Sequence, residues 1–239
     1  MTHLYLIRHG EATTQVHNFL RDDGLTPLGI TQAERLRDRL AATREIVADV
    51  LISSTLPRAR QTAQIIAPAL NLPIILDDDV QELRIGEAEG MSIDEFKDKY
   101  GIPTFEEEPF RPVSPGGENW GQFVLRVATA LARITEEHEE KSIVVVCHGG
   151  VVDCSFLYFA GLGTLRFPPI RFHTYNTSVT HWHKGTENDL PAHWQLIRYN
   201  DDLHVRDIHA PGRILWETLR VPQEPETVTN SPAVPPSEQ

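Results

Sequence analysis

The stretch that decides the fold covers residues 6–11 and reads Leu-Ile-Arg-His-Gly-Glu. It completes a short, mainly apolar run, residues 3–7, whose length and composition predict a buried strand. Arg8, His9 and Gly10 then stand at the carboxyl end of a first strand, where open α/β sheets place their ligand sites. Arginine suits a phosphate, histidine can be a nucleophile or a base, and glycine admits close backbone approach. The segment predicts a histidine that attacks phosphorus beside a phosphate-binding arginine, although on most proteins the tripeptide alone is a solvated loop.

Two later segments repeat the pattern of a strand that runs into polar residues. Residues 50–53 predict a strand, and Pro57 suits the first position of the helix that follows. Arg58 then lies in the first turn of that helix, where free N–H groups and the helix dipole favour an anion. A β-branched run, residues 143–146, predicts another buried strand, and His148 follows it with two glycines before the next helix. The alternatives are an exposed helix charge for Arg58 and a structural, buried His148.

An acidic stretch offers candidates for proton transfer. It follows the apolar residues 73–76 and contains Asp77, Asp78, Asp79, Glu82, Glu87 and Glu89. Transfer of a phosphoryl group to histidine needs a proton for the departing oxygen, and a carboxyl group can supply it and then accept one from water. Glu82 is the candidate, but spacing alone does not single out one carboxylate, and such stretches are usually solvated surface.

In their order and spacing, these segments resemble the histidine phosphatase superfamily, which contains the cofactor-dependent phosphoglycerate mutases and many acid-type phosphatases. The matching segments are residues 8–11, 25–33, 53–62, 82–90, 115–118, 148–150 and 176–179. None of these motifs is decisive alone, but the ordered set is specific and extends from the first strand to about residue 200.

The resemblance implies a role for each matched residue. His9 is implied as the nucleophile that becomes phosphohistidine, and Glu82 as the proton donor and acceptor. The groups implied to hold the phosphate are Arg8, Arg58, His148 and the backbone N–H of Gly149. Because these groups supply the positive field, the implied reaction needs neither a metal nor a cofactor. The expected activity is hydrolysis of a small phosphomonoester, so the expected partner is a phosphorylated small molecule.

The chain departs from the family pattern near the first motif. Many members place a threonine where this chain has Ala12. An asparagine that commonly contacts the phosphate is replaced here by Gln15, with Asn18 three residues later. Glutamine makes the same amide hydrogen bonds with a longer reach, so both Gln15 and Asn18 are candidates for substrate contacts.

A second departure bears on the reaction. The mutases usually follow the acidic residue directly with arginine, whereas here Leu83 follows Glu82 and Arg84 comes next. This change favours a phosphatase over phosphoglycerate mutase-type transfer, which stays open as an alternative. An alternative of another class is a non-catalytic module that binds a phosphorylated ligand. The joint presence of His9 and Glu82 favours the enzyme, since binding alone needs neither group.

Composition fits an ordinary globular enzyme. The chain has 239 residues, 40% of them hydrophobic, and a formal net charge of −12. This charge argues against general nucleic-acid binding and against an anionic membrane surface. Two cysteines, no secretory signal and no apolar run of about 18 residues predict a cytoplasmic protein without a membrane span. A homodimer is among the assemblies that the sequence allows.

Strand and helix patterns alternate through residues 1–220, which predicts a single domain. The expected fold is a three-layer α/β/α sandwich with a mostly parallel central sheet and helices on both faces. Predicted strands are residues 3–7, 50–53, 73–76, 142–147, 178–183 and 193–199, the last two as an edge hairpin. Predicted helices are residues about 29–45, 57–69, 118–140 and 149–161.

Two segments stand apart from this alternation. Residues 91–117 are rich in proline and aromatic side chains, which predicts either a lid over the site or a packed surface excursion. Residues 221–239 hold five prolines among mainly polar residues, a composition typical of a disordered tail.

Overall fold

A six-stranded mixed sheet forms the centre of the protein in a computed structural model that describes residues 1–162, 172–186 and 192–208. The strands are β1 (Thr2–Arg8), β2 (Val50–Ser54), β3 (Ile74–Asp77), β4 (Ser142–Cys147), β5 (Val179–Gly185) and β6 (His193–Asp201). Their order across the sheet is β3-β2-β4-β1-β5-β6. The pairs among the first four strands are parallel, whereas β5 is antiparallel to β1 and to β6. The expected edge hairpin is confirmed.

Helices cover both faces of this sheet. They are α1 (Thr13–Val16), α2 (Pro27–Thr43), α3 (Pro57–Leu70), α4 (Ile93–Tyr100), α5 (Trp120–Glu137) and α6 (Gly149–Phe159). Alternate residues of each strand enter opposite cores, as the period of two requires. Leu6 and Val145 pack in the core that contains α5 and α6, while Ile7 and Val146 pack with α2 and α3. The predicted three-layer α/β/α architecture is confirmed.

The register of the two central strands positions the site. Arg8 lies opposite Cys147 in the parallel β1–β4 pair. Because the two strands end level with each other, the residues that follow them, His9 and His148, leave the sheet side by side. Their ring centroids are 5.2 Å apart.

Helix boundaries follow local caps. The second helix begins at Pro27, two residues before the predicted start, because the Thr26 hydroxyl accepts from the Gly29 N–H at 3.0 Å. Similarly, α5 begins at Trp120 because the Asn119 side chain accepts from the Gln122 N–H at 2.9 Å. The helices α1 and α4 were not predicted.

The excursion at residues 91–117 contains α4 and packs onto the body of the protein. Ser92 and Glu95 form a capping box at the start of α4. Phe96 and Phe105 are buried in the core on the α5 side of the sheet. Phe96 and Phe105 therefore stabilise this segment against the core, whereas Phe110 is exposed, and a lid function stays a prediction. The predicted tail, residues 221–239, lies outside the described residues, as does the end of the predicted domain beyond residue 208.

No helix within the described ranges combines the length and apolar character needed to cross a membrane.

Candidate active site

The imidazole of His9 has a defined proton arrangement. Its Nδ1 lies 2.6 Å from the Gly10 carbonyl oxygen, and its Nε2 lies 3.1 Å from Nε of Arg58. A carbonyl can only accept and a guanidinium can only donate, so Nδ1 carries the proton and Nε2 presents its lone pair. Burial, with the charges of Arg58 and Arg8, holds the pKa of His9 well below its ordinary range. The histidine is therefore neutral at pH 7, with Nε2 available as a nucleophile.

Arg58 lies in the first turn of α3, as expected from Pro57 before it. Its Nη1 donates to Asp22 Oδ2 at 2.6 Å, and both side chains are about nine-tenths buried. The second oxygen of Asp22 accepts the Gly24 N–H at 3.0 Å, which fixes the carboxylate. The guanidinium is thus held between Asp22 and His9. The sequence did not identify Asp22, because nothing distinguishes it from the neighbouring polar residues of its loop.

Arg8 is almost completely buried at the end of β1. Its Nη1 donates to the carbonyl oxygen of Thr174, and its own carbonyl accepts the Thr177 N–H at 3.0 Å. The loop before β5 therefore holds both the side chain and the backbone of Arg8. This arrangement presents a fixed cation next to His9.

His148 is fully buried at the N-terminus of α6. Its Nε2 lies 2.8 Å from the hydroxyl of Ser54, which ends β2. Burial, followed by the charge of Arg58, lowers the pKa of His148 well below its ordinary range, so it too is neutral at pH 7. Gly149 is the first residue of α6, where the backbone N–H has no carbonyl partner within the helix.

The buried carboxylate of Glu82 meets the same helix terminus. One oxygen accepts the Gly150 N–H at 3.2 Å, and the other accepts the Leu83 N–H at 3.1 Å. Arg126 of α5 donates to the Glu82 carbonyl at 3.2 Å and forms an ion pair with Glu118 at 2.7 Å. Glu82 is therefore held from two sides. Arg126 was not identified from the sequence, and Glu118 was included only as the end of the matching segment 115–118, without a role.

The two amide candidates are placed differently. Gln15 borders the cleft, and its Oε1 accepts the Ala12 N–H at 2.9 Å and the Asn176 side-chain amide at 3.2 Å. Asn18 is exposed, and its amide lies 3.5 Å from a carboxylate oxygen of Asp94. The side chain of Asn18 does not line the cleft, and its contact with substrate stays a prediction.

A cleft of about 480 Å³ opens onto most of these groups, but His148 and Gly149 are not among the residues that line it. Arg8, His9, Gln15, Arg58 and Glu82 line it together. Its remaining wall is apolar at Leu20, Leu56, Leu83 and Ile85, with charged groups at Asp22, Arg84 and Glu89. The excursion contributes Gly116 to this wall. The cleft thus combines a phosphate-sized cationic corner with a partly apolar compartment for the rest of a ligand.

Among the described residues, no group of three or more His, Cys, Asp or Glu side chains is arranged to hold a metal ion. The positive charge that borders the cleft comes from arginines instead.

The chain is similar to known phosphatases and phosphoglycerate mutases in sequence and in fold. Phosphoserine phosphatase 1 from Hydrogenobacter thermophilus is 34% identical over 68% of this chain and 77% of its own length. A probable phosphoglycerate mutase, GpmB, from an Enterobacter species is 29% identical over 86% of this chain and 95% of its own. The structure of phosphoserine phosphatase from Entamoeba histolytica in complex with 3-phosphoglyceric acid superposes with a TM-score of 0.67. That match has 26% identity and covers 86% of this chain and 100% of the other.

A family model covers most of the chain. It describes branch 1 of the histidine phosphatase superfamily and matches residues 4–202, which include every group of the cleft described above. The chain therefore belongs to the histidine phosphatase superfamily, branch 1.

Proposed function

We propose that this protein is a metal-independent phosphatase that hydrolyses a small phosphomonoester through a phosphohistidine on His9. The observation that carries the proposal is the proton arrangement of His9, whose Nε2 lone pair faces the Arg58 guanidinium in the cleft. A neutral imidazole held in this way is a nucleophile beside a cation that attracts phosphoryl oxygens.

In the first step, Nε2 of His9 forms a bond to phosphorus while the bond from phosphorus to the ester oxygen breaks. Arg8 and Arg58 neutralise the charge on the phosphoryl oxygens, and the N–H of Gly149 and the imidazole of His148 complete the phosphate site. Since Nδ1 of His9 donates to the Gly10 carbonyl, the positive charge that develops on the ring is stabilised by this contact. Catalysis is then mainly positioning and electrostatic stabilisation.

Glu82 supplies the proton transfers. In its acid form it gives a proton to the departing ester oxygen, and the resulting carboxylate takes a proton from the water that attacks phosphohistidine. The water oxygen bonds to phosphorus, the N–P bond breaks, and inorganic phosphate leaves with His9 neutral again. The backbone donors at Leu83 and Gly150 fix the carboxyl group for both steps.

The cleft also favours a class of leaving group. Arg84 donates to Gln81 Oε1 and to the Asp78 carbonyl, and neither Arg84 nor Glu89 has an ion-pair partner among the described residues. A cation and a carboxylate placed in this way suit a zwitterionic or hydroxylated acid. Phosphoserine and 3-phosphoglycerate, which appear in the names of the similar proteins, fit this description. They are the first substrates to test.

The experiment is phosphate release from a panel of phosphomonoesters in EDTA. The panel contains phosphoserine, phosphoglycerates, an alkyl phosphate and p-nitrophenyl phosphate. His9→Ala should abolish release without loss of fold, while His17→Ala, which removes an exposed histidine on the same segment, should leave it unchanged. Release by His9→Ala at the wild-type rate would disprove the nucleophile.

The same panel separates the alternatives. No release from any ester, followed by phosphoglycerate isomerisation with a bisphosphate primer, would indicate the mutase. Tight phosphoester binding with no turnover in either assay would indicate the binding module. A homodimer and a cytoplasmic location stay predictions, and light scattering with cell fractionation tests them.

A further inference from the structure

Thr177 adopts a backbone conformation that a β-branched residue rarely takes. Its φ is 56°, in the left-handed region, and its side chain is completely buried. Such a conformation is unfavourable for threonine and persists only where surrounding contacts enforce it. The contacts around Thr177 therefore identify what this strained position does.

The backbone of Thr177 contacts the end of β1, where Arg8 and His9 lie. Its N–H donates to the Arg8 carbonyl at 3.0 Å and lies 3.3 Å from the His9 carbonyl. The side-chain amide of Asn176 donates to the same His9 carbonyl at 2.9 Å. The left-handed turn thus fixes the peptide units that carry both the phosphate-binding arginine and the nucleophile.

The side chain of Thr177 is held from the opposite direction. Its hydroxyl donates to the Asn176 carbonyl at 2.7 Å and lies 2.9 Å from Nε2 of His204. Since the hydroxyl proton is used, Nε2 of His204 is the donor in the second contact. Nδ1 of His204 then accepts from Arg39, whose Nη1 lies 3.4 Å away.

Arg39 is itself fixed. It forms ion pairs with Asp201 at 2.7 Å and with Glu45 at 2.6 Å, and its side chain is only 13% exposed. A continuous chain of hydrogen bonds therefore runs from this ion-pair cluster through His204 and Thr177 to the backbone of His9.

We propose that His204 is a positioning residue that holds Thr177 in the left-handed conformation and thereby aligns His9 and Arg8 for phosphoryl transfer. The proposal rests on the proposed phosphatase function, because its effect is on that reaction. His204 itself does not touch the reacting atoms. Burial, together with the charge of Arg39, lowers the pKa of His204 to about 4, which keeps the imidazole in the neutral form that this hydrogen-bond chain requires.

The first test uses His204→Ala, His204→Gln and the exposed His193→Ala as a matched control, each assayed on the best ester of the panel. A small displacement of a nucleophile can lower a rate by up to about a hundredfold, so we expect His204→Ala to lower kcat by about 10- to 100-fold. KM should stay within about threefold because Arg58 is held independently by Asp22. His204→Gln, with an amide that both donates and accepts, should restore most of the activity.

The second test asks whether His204 acts through the conformation of Thr177. Glycine adopts the left-handed region without strain. Thr177→Gly should therefore stay within about threefold of the wild-type kcat, and adding His204→Ala to it should cause little further loss. An equal loss from His204→Ala in both backgrounds would overturn the proposal, as would a folded His204→Ala with the wild-type kcat.

A vanadate titration separates slow chemistry from a misfolded fraction. One binding site per chain with a lowered kcat is the expected result, whereas a fall in the number of sites that matches the fall in kcat would show a structural role only. If His204→Ala does not fold, Thr177→Val removes the hydroxyl contact from the other side and should lower kcat similarly. A wild-type kcat in Thr177→Val would then overturn the proposal. Loss of the proposed function is distinguishable, because in that case the unsubstituted enzyme releases no phosphate.

Discussion

The carboxylate of Asp22 beside the phosphate site leads to a quantitative prediction. Asp22→Asn removes one negative charge from the guanidinium of Arg58 and nearly preserves the shape of the side chain. The carbonyl oxygen of the new amide can still accept from Nη1 of Arg58, as Oδ2 of Asp22 does now at 2.6 Å, while the Gly24 N–H loses its acceptor. We expect the substitution to tighten binding of vanadate and phosphate, because Asp22 currently repels these anions and neutralises the cation that binds them.

The size of the effect follows from the geometry. Asp22 Oδ2 is 2.6 Å from Nη1 of Arg58, and His9 Nε2 is 3.1 Å from Nε of the same group. If an anion at His9 is taken to lie roughly 6 Å from the carboxylate, across the guanidinium, two unit charges interact by about 3 kcal/mol at an effective dielectric constant of about 20. Solvent in the open cleft reduces this towards about 1 kcal/mol. Since about 1.4 kcal/mol corresponds to tenfold, about 1 kcal/mol means that vanadate should bind about fivefold more tightly.

The assay is isothermal titration of vanadate at low ionic strength, repeated with inorganic phosphate as a competitive inhibitor. Asp23→Asn is the matched control, because it makes the same change in net charge on the next residue. Asp23 pairs with the exposed Arg21 rather than with Arg58. Unchanged or weaker vanadate binding in Asp22→Asn, with Asp23→Asn like wild type, would refute the electrostatic argument and indicate that Asp22 mainly orients Arg58.

Three further predictions concern the proton donor, its support and acid stability. Glu82→Gln should lower kcat/KM by about 10²- to 10⁴-fold for an alkyl phosphate but far less for p-nitrophenyl phosphate, whose leaving group needs no proton; equal losses on both esters would contradict the acid role. Arg126→Ala removes the ion-pair partner of Glu118, whose side chain is only 13% exposed, and should lower the free energy of unfolding by about 3 kcal/mol in urea denaturation. Arg133→Ala removes a partly exposed arginine and should lower the free energy of unfolding by less than about 1 kcal/mol. Similar losses in Arg126→Ala and Arg133→Ala would refute the reasoning. The pKa of His204 is about 4 in the folded protein against 6.5 when unfolded. The stability that depends on neutral His204 is therefore fully present above pH 6.5 and is lost as the pH falls towards 4. The loss amounts to up to about 3 kcal/mol, and a His204→Gln variant whose stability falls equally between pH 6.5 and 4 would contradict this assignment.

The sequence predicted the site residues that lie at the ends of the sheet strands. Two apolar runs each end in a polar residue, and parallel strands deliver such ends to one edge of a sheet. His9 and His148 therefore meet because Arg8 pairs with Cys147, a register fixed by the hydrophobic pattern of β1 and β4. Arg58 joins them through a helix start that its proline marks. Local signals sufficed to place these groups, whereas their roles were implied only by the family resemblance.

The part that the sequence missed depends on contacts between distant segments. Asp22 reaches Arg58, and Ser54 reaches His148, across separations of 36 and 94 residues. No local pattern encodes either pair. The contact of Asn18 with the excursion is of the same kind, because its carbonyl accepts the Ile93 N–H across a long separation in sequence. The composition of the excursion likewise showed that it is rich in aromatic residues, but it did not show that Phe96 is buried in the core.

The charge arrangement in the cleft bears on whether the protein releases or retains phosphate. A hydrolase must release inorganic phosphate in every cycle, whereas a mutase must keep its phosphoryl group on the enzyme. Arg58 meets a fixed carboxylate on one edge, so part of its attraction for a dianion is already offset by Asp22. This offset weakens binding of the product and of the substrate phosphate alike, but the substrate regains affinity through contacts of its leaving group with the apolar wall and with Arg84. We therefore expect Asp22→Asn to lower the inhibition constant for phosphate and KM by similar factors, whereas an unchanged inhibition constant would show that Asp22 does not favour product release.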